Sequence, residues 1–333
     1  MNTKNTQPIL GQFMFKTSDI DDCTKDVCDI NESQKTELMY LERLNPCKQI
    51  YYMDKSAFIT SYHQSVDIFN FIAKLNLRVS LNIIGKPYSI SEKGYFGDNN
   101  QVSDLIKGIK GLKLVLNGDI GLDLPYAFTL SSHEFYNRFE TFDHYLKSLR
   151  SHYRYRVKKS LKKSANIIMT KIDQGDFNKE HHNLYLEVYQ NSKDKLECLS
   201  MEFFRAFPSE IYEFRIIDSE KSGELVGFVQ LVQKSNKLTF LFGGFKKEHN
   251  RKYDLYMTML IEIIRIAIER KVEIIEFGQT AEETKLKIGC VAVKKYLYVH
   301  HSNRLLNLFI AKILPLLSYK AHSEIYNVFK EES

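Results

Sequence analysis

The 333-residue sequence has no window of 18 apolar residues, so no segment is expected to span a membrane as a helix. The nearest approach, LLNLFIAKILPLL (305–317), is too short and is interrupted by Lys312 and Pro315. It reads as a core or docking helix, with a membrane-surface contact as the other option. Five cysteines, Cys23, Cys28, Cys47, Cys198 and Cys290, are an odd number at spacings that match neither a zinc site nor a disulfide framework. The polar start, MNTKNTQP, is unlike a signal peptide, so a reducing cytoplasm is the expected compartment. The ten histidines lack metal-ligand spacing: the pairs at 181–182 and 300–301 are adjacent and cannot face one ion, so no metal is expected. No G-x-S-x-G occurs, which argues against a serine hydrolase.

What is present is a chain of two-module length, with 44% hydrophobic and 13% aromatic residues, enough to build real cores. Net charge is +6, a mild excess that suits a phosphate-bearing partner and equally a lysine-rich composition. Residues 1–38 are polar and without apolar periodicity, which predicts a tail or loosely packed lead-in. From Gln49 the pattern is globular: QIYYM, RVSLNII and KLVLNGD read as strands, and FNFIAKL as a helix. No internal repeat is visible.

Residues 139–163, FETFDHYLKSLRSHYRYRVKKSLKK, predict one long helix. Leu146, Leu149, Tyr153, Val157 and Leu161 form its apolar stripe, and Thr141 or Asp143 is placed to cap it. Arg150, Arg154, Lys158 and Lys162 recur every fourth residue on a neighbouring face. Eight basic residues between Lys147 and Lys163 are undiluted by any acid. Such like-charge neighbours disfavour a helix by about 0.2–0.5 kcal/mol per pair. That points to an anionic ligand, or to a well-solvated surface face.

The second half reads as helix (182–192), three strands joined by the turns EKSGE and SNK, a long helix from about Lys252, the strand VEIIEFGQT, a short helix AEETKLKIG and a last strand AVKKYLYVHH. If strands 236–245 and 273–278 lie parallel and adjacent, the helix between them is a crossover whose N-terminus sits at the carboxyl edge of the sheet. The junction KKEHNRKYD carries Lys246, Lys247, Arg251 and Lys252 against Glu248, and offers charge and free helix N–H groups to an anion.

This arrangement resembles the GNAT acyltransferase superfamily over residues 139–300. Two motifs sharpen the resemblance. The aromatic-rich lead into the basic helix, and FGQTAEETKLKIG, a strand end followed by a helix carrying a lysine, are similar to the BioF2-like branch related to Fem-type aminoacyl transferases of peptidoglycan synthesis. The resemblance implies an α+β, mixed α/β fold: a GNAT-like central sheet with a crossover helix, two such modules in tandem. It divides the chain into the lead-in 1–38, a degenerate N-terminal module 39–138 and an acyltransferase domain 139–333 with a basic lead-in helix.

The implied activity is N-acyl transfer, an acyl group passing from acyl-CoA onto an amine. The family's Q/R-x-x-G-x-G/A loop for coenzyme A pyrophosphate is replaced here by KKEHNRKYD, which has no glycine after Gly244. Lys246, Lys247, Asn250, Arg251 and Lys252 are then the donor-binding candidates, and Arg150, Arg154, Lys158, Thr280 and Lys285 the substrate-binding ones. Tyr253 and Tyr256, three apart at the start of the crossover helix, are each placed to protonate a leaving group or simply to pack. Gln279 is placed to bond the acyl carbonyl. Thr280 also fits the N-cap of a capping box with Glu283. His249 and Glu248 are candidate bases. Two other readings stay open: aminoacyl-tRNA-dependent transfer, with the basic helix tracking RNA, and a non-catalytic GNAT-fold binding module. Expected partners are a small acyl donor and an amine acceptor, with tRNA as a further option, and not DNA.

Overall fold

The computed structural model describes residues 7–9, 12–23, 30–67, 78–88, 91–192, 198–217, 223–320 and 324–331. The chain divides into two compact units, 1–130 with 294–320, and 131–293 with 321–333. The predicted helix FNFIAKL lies outside the described residues, as does most of the turn EKSGE.

In the first unit the chain runs through β1 (Gln7–Ile9), β2 (Gln12–Thr17), α1 (Glu32–Leu44), β3 (Gln49–Met53), β4 (Ala57–Asp67), β5 (Arg78–Ile84), β6 (Tyr95–Gly97), α2 (Asn99–Gly108), β7 (Leu112–Gly118) and β8 (Tyr126–Phe128). The polar lead-in expectation is corrected here. β2 pairs antiparallel with β3, and α1 starts at an Asn31 capping box and buries Leu38 and Leu41. A short strand needs only its backbone and one apolar face, so Met14 and a few neighbours suffice where no long periodicity exists.

The second unit contains β9 (Ser132–Tyr136), α3 (Phe142–Ser148), α4 (Ser151–Lys163), β10 (Ile167–Ile172), α5 (Lys179–Asn191), α6 (Met201–Ala206), β11 (Glu210–Ile216), β12 (Glu224–Lys234), β13 (Lys237–Phe245), α7 (Lys247–Tyr253), α8 (Leu255–Glu269), β14 (Ile274–Glu276), α9 (Glu282–Leu286) and β15 (Val291–Val293). The chain then returns to the first unit with β16 (Tyr296–His301) and α10 (Arg304–Ile313). The predicted single helix 139–163 is two helices. Leu149 between them forms a β-bridge with Phe329, and Thr141 caps α3 through the His144 N–H.

Among the described residues the two sheets share one plan. The first runs β1-β2-β3-β4-β5-β7-β16-β8, with β6 on β4, and the second runs β10-β11-β12-β13-β14-β9-β15. Each has an antiparallel run, then one parallel pair reached through a crossover (β5 to β7, β13 to β14), then two more antiparallel strands. This is the expected mixed α/β architecture of two GNAT-like modules. The repeat is carried by topology, and side chains need only match burial, which is why no sequence repeat shows.

One element crosses the expected plan. AVKKYLYVHH is not a single strand of the second module: β15 pairs with β9, whereas β16 pairs with β7 and β8. The break falls at Lys294–Lys295, and Tyr296 and Tyr298 alternate into the core of the first unit. In the second unit α8 is buried on nearly every side and packs with Val226, Val229, Leu231, Leu238 and Ile275. The opposite sheet face carries an aromatic cluster with Phe177, His181, Phe204, Phe228 and Phe242 in ring contact. α5 lies so close to β13 that a Cβ on Gly244 would meet the Leu184 carbonyl carbon at 2.5 Å.

Candidate functional site

Parallel pairing of β13 with β14 covers only Lys237↔Ile274, Leu238↔Ile275 and Thr239↔Glu276. Beyond Thr239, β13 follows β12 to Phe245 while β14 ends at Glu276. The two strands part, and a wedge opens at the carboxyl edge of the sheet, where open α/β sheets bind ligands. The rings of Phe240 and Phe277, 6.5 Å apart, stand at its apex.

The chain leaves β14 through Gly278 at φ 73° and Ala281 at φ 56°, then enters α9. Ala281, not Thr280, is the N-cap residue, no side-chain cap bond is made, and Thr280 is exposed. The capping-box expectation fails because the left-handed Ala281 starts the helix one residue later than the motif requires.

Lys285, on α9, is almost wholly buried at 1% exposure. Its Nζ donates to the Gly278 carbonyl at 3.1 Å. The same carbonyl accepts the backbone N–H of His133 at 3.1 Å and faces His133 Nδ1, also at 3.1 Å. His133 is itself buried, and its Nε2 lies 3.7 Å from Glu282 Oε1. Burial pulls the Lys285 ammonium down to about 8, against the opposing pull of Cys290, Glu276 and Glu282. Burial likewise lowers the basicity of His133 and raises the Cys290 thiol, which therefore stays protonated. Tyr256, at the start of α8 with its ring tilted against that of Phe245 at 5.8 Å, is held protonated by loss of water and then by Cys290. Lys285, whose carbonyl accepts the Cys290 N–H at 3.1 Å, and Tyr256, packed against the core that contains Cys290, both adjoin the core of the second unit.

Sequence reasoning missed His133, Glu276 and Cys290 around Lys285. A signal existed for two of them: a histidine in SSHEFY and a glutamate in VEIIEFG interrupt otherwise buried strands.

The junction before α8 differs from its expected role. α7, only 7 residues long, intervenes, and the crossover helix begins after Asp254, left-handed at φ 55°. Asn250 Oδ1 accepts the Tyr256 N–H at 3.0 Å and so caps the crossover helix from outside it. Lys246 is paired with Glu224 at 2.8 Å, His249 Nε2 lies 3.2 Å from the same carboxylate, and Glu187 accepts the Lys247 N–H at 3.3 Å. Glu180, Glu187, Glu224 and Glu248, with Arg215 and Lys246, line an open cleft of about 590 Å³. Four carboxylates against two cations do not make a pyrophosphate cradle. Tyr253 is buried in the same core that Tyr256 packs against, its ring 5.8 Å from that of His249.

Arg251 and Lys252 are exposed, and the Arg251 carbonyl accepts Lys163 Nζ at 3.3 Å, which joins α7 to the basic face of α4. Lys158, Lys159, Lys162 and Lys163 are exposed along that face. Arg150 and Arg154 are turned to structural tasks: Arg150 Nε donates to the Phe329 carbonyl at 3.0 Å, and Arg154 to the Leu149 carbonyl at 3.1 Å. Gln279 follows Gly278 at the wedge. Among the described residues no cluster of three or more His, Cys, Asp or Glu could hold a metal ion, and no helix is long and apolar enough to cross a membrane.

No curated protein matches the chain. Solved structures share its fold, three of them as follows. The C-terminal domain of a putative lysylphosphatidylglycerol synthetase from Agrobacterium fabrum matches at TM-score 0.51 and 12% identity, over 86% of this chain and 92% of that one. The structure of L-PGS from Bacillus licheniformis matches at 0.50 and 13%, over 84% and 96%. FemX matches at 0.51 and 11%, over 83% and 93%. The acetyltransferase (GNAT) domain model matches residues 147–286, which span α4, the meander, the crossover helix and Lys285. Residues 147–286 are therefore similar to a GNAT acetyltransferase domain.

Proposed function

We propose that the second unit transfers an acyl group onto an amine at the wedge between β13 and β14, with an aminoacyl ester carried by tRNA as the donor. One observation carries the choice of donor. The junction where the superfamily holds coenzyme A pyrophosphate is lined by carboxylates, while the exposed bases of α4 and α7 form one surface beside it. A phosphate backbone suits that surface, and a pyrophosphate does not suit the cleft. The names of the structures sharing the fold, a lysylphosphatidylglycerol synthetase and FemX, agree with aminoacyl transfer. The acidic cleft also suits an amine-bearing group, on acceptor or donor.

In this reading the acceptor nitrogen attacks the ester carbonyl, a C–N bond forms, and the ester C–O bond breaks. Lys285 in its cationic form, in a site of low dielectric, stabilises the negative charge that develops on oxygen. The Tyr256 hydroxyl keeps its proton to neutral pH and above, and can hand it to the leaving ribose oxygen. The proton shed by the attacking amine goes to water or to the Glu224–His249 pair. A thermal-shift and gel-shift comparison tests the donor: stabilisation and retardation by aminoacylated tRNA with no response to acetyl-CoA, longer acyl-CoAs or free CoA is expected. A shift of several degrees with a CoA species and none with tRNA would replace this donor with acyl-CoA.

A further inference from the structure

Helix α10 is built inside out. Asn303 caps it by accepting the N–H groups of Leu305 and Leu306 at 2.9 and 3.2 Å. Its inward side presents polar Asn307, whose Oδ1 accepts the His301 N–H at 3.1 Å, together with Ile310 and Ile313, all partly buried. Its outward side presents apolar residues. Leu305, Leu306, Leu308 and Phe309 are each at least half exposed, and so are Leu316 and Leu317 in the 3-10 turn Leu314–Leu317 that follows. No residue of α10 is buried. A helix on a water-facing surface puts these faces the other way round, and a contiguous exposed apolar patch of this kind marks a docking site.

Charge decides what docks. Residues 294–320 contain five Lys or Arg (Lys294, Lys295, Arg304, Lys312 and Lys320) and no Asp or Glu. Lys295 pairs with Asp119, but among the described residues Arg304, Lys312 and Lys320 make no ion pair. All three are exposed at the margins of the apolar face. An antiparallel pair of such helices from two copies, centred on Leu308, would set each Arg304 opposite a Lys312. That like-charge contact disfavours a self-complementary interface. Apolar side chains bordered by unpaired cations, with half-exposed Tyr319 at the rim, instead fit a surface of hydrocarbon below and negative charge above.

We infer that α10 and the turn after it form an interfacial anchor that seats the first unit on an anionic lipid bilayer, without crossing it. The anchor belongs to a unit that does not contain the wedge, so it stands or falls apart from the assignment of the donor.

The test is co-sedimentation of the full chain with vesicles of phosphatidylcholine alone and of phosphatidylcholine mixed with phosphatidylglycerol. Binding to the mixed vesicles, weakened by salt and nearly absent with phosphatidylcholine alone, is expected. The double variant Leu305→Asp, Phe309→Asp should lose about a hundredfold in partitioning, the order expected when two large apolar side chains leave the bilayer boundary. Because those residues are exposed, its thermal unfolding should match that of the parent. A second variant, Arg304→Gln with Lys312→Gln, should retain the fold and lose the preference for the anionic lipid. No binding to mixed vesicles overturns the inference. So does unchanged binding by the Asp variant, or a dimer in solution that this variant dissociates, which would make a second copy the occupant.

Discussion

At the scale of single residues the determining feature is a buried lysine. Among the described residues Lys285 has one carbonyl partner within hydrogen-bond distance and no carboxylate within ion-pair distance, so its charged form is held at a cost that a structural lysine would not carry. Lys285→Met, which keeps the volume and discards the charge, should abolish most transfer activity while raising the melting temperature at neutral pH. A lower melting temperature with activity intact would make Lys285 a packing residue. The pH dependence has a definite sign. The folded-state pKa, about 8, lies below the ordinary lysine value of 10.5, so the unfolded chain binds more protons between them. Stability contributed by this site is therefore lowest below pH 8 and recovers as pH rises toward 10.5, by up to about 3 kcal/mol. Comparing parent and Lys285→Met by denaturant titration across that window isolates the effect from the tyrosines and Cys290, whose raised values pull the other way. A flat difference between the two proteins would show that Lys285 is not desolvated.

Among elements, the kinked junction between α7 and α8 deserves the sharpest test. A left-handed Asp254 interrupts what the sequence presents as one helix, and Asn250 supplies the cap that Asp254 does not make. Asn250→Ala should cost about 1 kcal/mol, the loss of a helix cap, read as a shift in denaturant midpoint at unchanged slope. Gly244 is a second such point. Its replacement by Ala would push α5 off β13, since the close atoms are backbone and cannot swing away. A loss of several kcal/mol is expected, and calorimetry would show it. A neutral substitution would mean that α5 rides loosely on the sheet.

For the whole molecule the consequence lies in the order of the strands. β9 precedes most of the second unit in sequence yet lies between β14 and β15, and β16 follows that unit yet lies between β7 and β8. The second sheet is complete within residues 132–293, whereas the first takes β16 from beyond that stretch. A protein cut after Val293 would leave β7 without its β16 partner and bare an edge. Such a truncation should remove amide-exchange protection from β7 and favour aggregation, while the intact chain protects it. Retained protection in the cut form would show that β16 is dispensable.

Several features were legible without any tertiary information. The meander, the parallel crossover, the basic helix and the lysine after FGQT all rest on local alternation, helical periodicity or short motifs, and these are near-neighbour properties of the chain. Periodicity could not reveal the break at Leu149, because that residue keeps the apolar stripe in phase while its backbone bonds to Phe329 far along the chain. Nor could it divide AVKKYLYVHH between two sheets, since a strand's alternation is the same whichever partner it takes. The sequence by itself determined the meander, the crossover helix with its flanking strands, and where the positive charge lies. Tertiary structure alone decided which charges are neutralised. Glu187 and Glu224 come from other elements to the junction, and burial lowers the basicity of Lys285, because pairing and desolvation depend on neighbours in space.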